Sequence, residues 1–140
     1  MAEEHKIRVM VAEDMELLRE DFCDIVSRQP DMEIVGEADS GQEICALAHS
    51  TPCDIILMDI EMETDRAGIL AAEAIHRSSP EIKVIFLTAH ETDDMITGGM
   101  ATGAVDYVVK GCEDAVLLDH IRRAYTDDTV LEAHVLICFL

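Results

Sequence analysis

The chain has 140 residues, 49% of them hydrophobic, enough to bury the core of one domain and too apolar for a disordered segment. Thirty Asp and Glu stand against ten Lys and Arg, a formal net charge of -20. Non-specific DNA binding and adhesion to anionic membranes both rely on Lys and Arg, so this segment suits neither, and a divalent cation or a basic protein face is its natural partner.

Apolar runs and amphipathic stretches alternate along the chain. Ile7 to Ala12 reads as a strand, and Leu18, Phe22 and Ile25 then recur at helical spacing to about Arg28, before Pro30 breaks the chain. Met32 to Ala38 resumes in extended form. Ser40 is placed to cap a helix through His49, with Glu43 three residues on as its capping-box partner, and Thr51-Pro52 ends it. Ile55 to Met58 is a continuous apolar run that ends in Asp59 and predicts a third, fully buried strand. The Ala-rich stretch Ile69 to Arg77 is a third helix, stopped before Pro80.

Lys83 to Thr88 is the fourth strand and Val105 to Val109 the fifth. A weaker helix, roughly Asp93 to Thr102, lies between them and contains Gly98-Gly99, a pair costing on the order of 2 kcal/mol relative to Ala. The fifth helix, about Glu113 to Tyr125, carries Leu117, Ile121 and Ala124 on one face. Residues 126–140 form a strongly apolar tail, expected to be a linker remnant or a dimer or docking element beside a domain of residues 1–125.

Five strands alternating with five helices in so short a chain predict an α/β fold. The expected architecture is a doubly wound (βα)5, flavodoxin-like domain with a parallel sheet in the order 2-1-3-4-5 and helices on both faces. Cys23, Cys45, Cys53, Cys112 and Cys138 are odd in number and form no C-x-x-C pair. Buried free thiols in a reducing cytoplasm are the expectation, with no secretory signal before Ile7 and no run of the ~18 apolar residues that would span a bilayer.

Polar groups stand where the strands end: Glu13-Asp14 after VMVA, Asp59 after IILM, Thr88 after VIFL and Lys110 after DYVV. In a parallel sheet these ends share one edge, so carboxylates, a hydroxyl and an ammonium face one basin. Clustered carboxylates repel, and a hard cation removes the penalty; Mg²⁺ typically takes one or two carboxylates with water and phosphate oxygens. Asp59 is then a candidate nucleophile toward phosphorus, with Lys110 and Thr88 binding the phosphoryl oxygens. Taken singly, each residue has a plainer use as turn former, helix cap or surface lysine; the signal lies in their coincidence.

The segments VMVAED, CDIILMDIEM, VIFLTA and GAVDYVVK, in that order and spacing, make the chain from Lys6 to about Tyr125 resemble the receiver domains of two-component response regulators. The KG after the fifth strand is similar to the subgroup that usually carries a helix-turn-helix output domain, and no such domain is recognisable within these residues. The resemblance implies that Asp59 accepts a phosphoryl group from a sensor histidine kinase. It further implies that Glu13, Asp14, Asp59 and the backbone carbonyl of Glu61 hold Mg²⁺, and that Lys110 pairs with the acyl phosphate. Thr88 and Tyr107 correspond to the switch pair, and Glu61 and His90 to the two positions that set phosphoryl lifetime. A homodimer formed on phosphorylation, DNA contact only through an output domain, and self-phosphorylation without classical enzyme turnover complete that picture.

Two departures stand out. The loop METDRAGI lacks the family's Pro and is one residue longer before Gly68, and Gly111 replaces the common cis-proline after Lys110, for which a trans bond is predicted. The rival classes are a pseudo-receiver used only for docking and, less well supported, a metal-dependent aspartyl-phosphate phosphatase, whose second acid-base carboxylate would have to be Glu61. A dinucleotide site is disfavoured, since no G-x-G-x-x-G follows the first strand.

Overall fold

The computed structural model describes residues 5–89 and 105–126. The strands are β1 (Ile7–Ala12), β2 (Met32–Ala38), β3 (Ile55–Asp59), β4 (Lys83–Thr88) and β5 (Asp106–Val109). The helices are α1 (Glu16–Ser27), α2 (Gly41–Ser50), α3 (Ala67–Ser78) and α4 (Asp114–Thr126). All strand pairings are parallel and the sheet order is β2-β1-β3-β4-β5, as the alternation predicts. The helix expected around Gly98-Gly99, His90 and the apolar tail after Thr126 lie outside the described residues.

Successive strand residues point to opposite faces, so the sheet feeds two cores. Met10, Ala12, Ile56, Met58, Val84 and Phe86 pack with Ile44 of α2 and Ile69, Ala72 and Ile75 of α3. Val9, Val11, Ile55, Leu57, Ile85 and Leu87 pack instead with Phe22 and Val26 of α1 and Leu117, Leu118, Ile121 and Ala124 of α4. The whole of β3 is buried because it lies between two strands and two helical layers. The edge strand β2 is extended as expected, but MEIVGEA buries only Met32 and Ala38, and Glu33 and Glu37 face solvent.

Element ends differ from expectation where backbone hydrogen bonds to neighbouring elements intervene. α3 begins at Ala67, two residues before the predicted Ile69, since Gly68 N donates to Ile60 O at 2.8 Å and fastens its first turn to the end of β3. β5 begins at Asp106, one residue after the predicted Val105, whose N–H donates to Val84 O at 2.9 Å. Ser40 caps α2 as predicted, its Oγ accepting from Glu43 N at 3.0 Å, while Glu43 Oε1 accepts from Asp39 N at 2.9 Å rather than from Ser40 N. No described peptide bond is cis, in line with the trans bond expected at Gly111, whose φ of 90° is the one positive value among the described residues.

The thiols need a correction. Of the four described cysteines all are free, but only Cys53 is buried; Cys23, Cys45 and Cys112 are half-buried between helices and sheet. Burial pushes the Cys53 and Cys23 thiols up to about 12, which leaves both protonated and unreactive at neutral pH.

Candidate functional site

The register of the sheet assembles the site. Ala12 is opposite Met58, so Glu13 and Asp59 leave their strands side by side. Asp59 is opposite Leu87 and Thr88 is opposite Val109, which brings Thr88 and Lys110 out one step further along the same edge. Their position is the switch point between β1 and β3, where the strand order reverses and the strand ends leave a crevice.

Glu13 is fully buried, with 0% exposure, although it follows the last residue of β1. Its backbone continues the ladder through N–H to Ala38 O at 3.0 Å, and its carbonyl accepts from Arg19 Nη1 at 2.9 Å. Oε2 accepts from Met15 N at 3.1 Å and so serves the start of α1, the plainer capping use the sequence allowed. Oε1 is buried, and the Lys110 ammonium at 2.9 Å is its ion-pair partner. The same Nζ stands 2.9 Å from Asp59 Oδ1.

Asp59 is 4% exposed. Burial raises its pKa to about 7; the neighbouring Glu13 charge adds to that rise, and Lys110 opposes it. For Lys110, burial acts against the charged form, but the hydrogen bonds to Glu13 and Asp59 outweigh it and its pKa ends above the ordinary lysine value. Asp14 is exposed at the rim, and one carboxylate oxygen from each of Glu13, Asp14 and Asp59 lies within 4.8 Å of the others. Among the described residues this is the one such cluster of three.

That donor set fits a hard divalent cation. It offers only oxygens, and a single ammonium has to serve two of its three acids, Glu13 and Asp59.

The remaining predicted residues fall around the basin at different depths. Thr88 is 7% exposed at the end of β4, and its carbonyl accepts from Lys110 N at 2.7 Å. Gly111, with its positive φ, turns the chain away directly after Lys110. Tyr107 stands in β5 opposite Phe86, half-buried against the core that α2 and α3 cover. Glu61 is exposed in the loop between β3 and α3, two residues past Asp59. His90 falls outside the described residues.

Two features escaped the sequence reading. Asp106 is 4% exposed in β5, where its Oδ2 pairs with His120 Nδ1 of α4 and its Oδ1 accepts from Tyr107 N at 2.8 Å. An acid inside the run VDYVV was the available signal, since an acid in a buried strand needs a partner. Glu63 reaches α2, its carboxylate accepting from Gly41 N at 2.7 Å and Gln42 N at 3.2 Å. No local pattern announces that contact, because the partners are distant in sequence.

A doubly wound parallel sheet with an acidic basin at its switch point, closed by a lysine after the last strand, defines the class as a flavodoxin-like α/β domain. Comparison with known proteins makes this specific: residues 9–122 match the response regulator receiver domain, and the chain belongs to that family. It is 39% identical over 125 residues to the transcriptional regulatory protein YxjL of Bacillus subtilis, covering 89% of this chain and 57% of that protein. It is 33% identical over 131 residues to the response regulator protein VraR of Staphylococcus saprophyticus, covering 94% of this chain and 62% of that one. The chain thus spans roughly three fifths of the length of these curated relatives.

Among solved structures, the response regulator domain of Thermotoga maritima CheB superposes with a TM-score of 0.81 at 32% identity, covering 89% of this chain and 99% of that one. A LuxR-family two-component response regulator from Aurantimonas superposes with a TM-score of 0.78 at 26% identity, covering 84% and 83%. No helix among the described residues is long and apolar enough to cross a membrane.

Proposed function

We propose that residues 1–125 form a phosphoacceptor domain that takes a phosphoryl group from a sensor histidine kinase onto Asp59. The observation that carries this reading is the shared ammonium: Lys110 Nζ stands 2.9 Å from both Asp59 Oδ1 and Glu13 Oε1, beside a third carboxylate. A carboxylate held this way keeps a fixed direction at the end of β3, beside the exposed Asp14. Glu13, Asp14, Asp59 and the backbone carbonyl of Glu61 would hold Mg²⁺, which supplies neutralising charge for the phosphoryl oxygens.

In the transfer, an Asp59 carboxylate oxygen attacks phosphorus in line and the P–N bond to the kinase imidazole breaks. The bonding pair returns to the ring nitrogen, and the attacking form is the ionised Asp59, which a cation in the basin favours. Lys110 follows the added negative charge, about -1.5 to -2, and pairs with a phosphoryl oxygen. Thr88 then turns its hydroxyl toward the same group and Tyr107 fills the space behind it, which alters the face near β4 and β5. Glu61 and His90 tune access of the water that later hydrolyses the acyl phosphate. The altered face favours a homodimer or a downstream partner. The names of its relatives support a role in transcription regulation; a cytoplasmic setting and action on DNA through an output domain rather than through these residues belong to the same proposal.

Intact-mass measurement after incubation with acetyl phosphate and Mg²⁺ tests the assignment. The wild-type chain gains one phosphoryl group and Asp59→Asn gains none. Stoichiometric labelling of that variant would remove Asp59 from the mechanism.

A further inference from the structure

The loop between β3 and α3 carries both Asp59 at its start and Glu61 within it, yet it lacks the proline that commonly stiffens it. Its order comes from contacts with α2 instead. The Glu63 carboxylate spans two amides of the first turn of α2, at 2.7 Å to Gly41 N and 3.2 Å to Gln42 N. Those N–H groups have no partner within the helix and form the positive end of its dipole, so an anion there is held by charge as well as by hydrogen bonds. The hydrogen bond from Gly41 in turn draws the Glu63 carboxyl below its ordinary value. Capping of α2 does not depend on Glu63 alone, because Ser40 Oγ accepts from Glu43 N and Glu43 Oε1 accepts from Asp39 N.

Two close backbone approaches hold the far end of the same loop. A Cβ on Gly41 would meet Ala67 O at 2.9 Å, and one on Gly68 would meet Asp59 O at 2.0 Å. Gly68 N also donates to Ile60 O at 2.8 Å. The backbone from Asp59 to Gly68 is therefore gripped at its two ends by β3 and α3, and in the middle by Glu63 on α2. Without the Glu63 contact, the middle of the loop is left with the half-buried Met62 and its own turn, Met62 N to Thr64 O at 3.1 Å, neither of which ties it to α2.

We propose that Glu63 is a positioning residue, whose carboxylate latches the β3–α3 loop to the N-terminus of α2 and thereby fixes the backbone of Glu61, two residues past Asp59, for a divalent cation. The inference rests on the phosphoacceptor reading of Asp59 and deepens it.

The test compares Glu63→Ala, Glu63→Gln and Ser40→Ala in the full chain. Two readouts are used: amide hydrogen exchange of the metal-free protein and calorimetric titration with MgCl₂. Glu63→Ala should speed exchange at Gly41 and Gln42 and weaken Mg²⁺ on the order of 10-fold, the scale seen when a group that orients a ligand is removed. Glu63→Gln keeps an acceptor and should recover part of that affinity. Ser40→Ala unties α2 without touching the loop and should leave Mg²⁺ binding unchanged. Unaltered Mg²⁺ affinity in Glu63→Ala, or an equal loss in Ser40→Ala, overturns the latch. Labelling of Asp59→Asn by acetyl phosphate is the separate result that would sink the underlying reading while saying nothing against the latch.

Discussion

Lys110 stands 2.9 Å from Asp59, and through the same Nζ it also neutralises Glu13, so one ammonium serves two buried acids. Removing it leaves both carboxylates buried without a cation. Lys110→Met should therefore destabilise the metal-free domain by roughly 3 kcal/mol at neutral pH, the lower end for truncating one partner of a buried pair. Mg²⁺ should restore part of that loss, because it offers the acids another positive charge. Urea unfolding with and without MgCl₂ measures both effects, and equal losses in the two conditions would separate Lys110 from the metal basin.

Asp59 makes stability depend on pH in an unusual direction. Its folded pKa of about 7 lies above the ordinary aspartate value near ~4, so between those values the native state binds more protons than the unfolded chain. Stability contributed by this group is thus full below about 4 and falls as pH rises toward 7. Asp59→Asn removes the dependence. The melting temperature of the variant minus that of the wild type should grow from about pH 4.5 to about pH 7.5 without metal, a window set by the ordinary and shifted pKa, and shrink when MgCl₂ is present. A difference that stays flat across that range would mean that Asp59 ionises like a surface acid.

Much of this was legible because chemistry and chain order coincide at strand ends. Glu13, Asp59, Thr88 and Lys110 each follow an apolar run, and a parallel sheet has only one edge on which four such runs can end. Burial is what the sequence could not convey. Glu13 looks like a helix-capping acid, yet it is the most buried member of the set, because the ladder to Ala38 carries the chain past the end of β1. Glu63 and His120 were invisible for another reason. Their partners, Gly41 and Asp106, lie on different elements, and only tertiary packing decides the pairing.

The Asp106–His120 pair should act as a protonation-dependent tie between β5 and α4. The hydrogen bond to Asp106 raises the His120 pKa above its ordinary value, with burial opposing it. A raised histidine contributes stability that is complete below its unfolded pKa, near ~6.5, and is lost as pH climbs through the higher folded value. His120→Gln should accordingly cost about 1–2 kcal/mol at pH 6 and less at pH 9. An NMR titration of the ring, run beside melts of both chains, checks the sign. A His120 pKa at or below the ordinary value would show that burial dominates the pair.

The glycines give a graded prediction, since an added Cβ meets different things at each. At Gly68 it would lie 2.0 Å from the Asp59 carbonyl and 2.8 Å from Ile60 Cα, both backbone atoms that only a shift of β3 or α3 can clear. At Gly41 it would lie 2.9 Å from the Ala67 carbonyl, with the Ala71 methyl at 3.5 Å, a single backbone clash between two helices. At Gly36 it would meet only the Met10 side chain, at 3.2 Å and beyond, and that side chain has rotamers to spare. Gly68→Ala should thus cost about 3 kcal/mol or prevent folding, Gly41→Ala about 1–2 kcal/mol, and Gly36→Ala less than about 1 kcal/mol. Chemical denaturation of the three variants ranks them. A Gly68→Ala chain as stable as Gly36→Ala would show that the β3–α3 junction yields freely, and the fixed Asp59 backbone on which the metal basin depends would go with it.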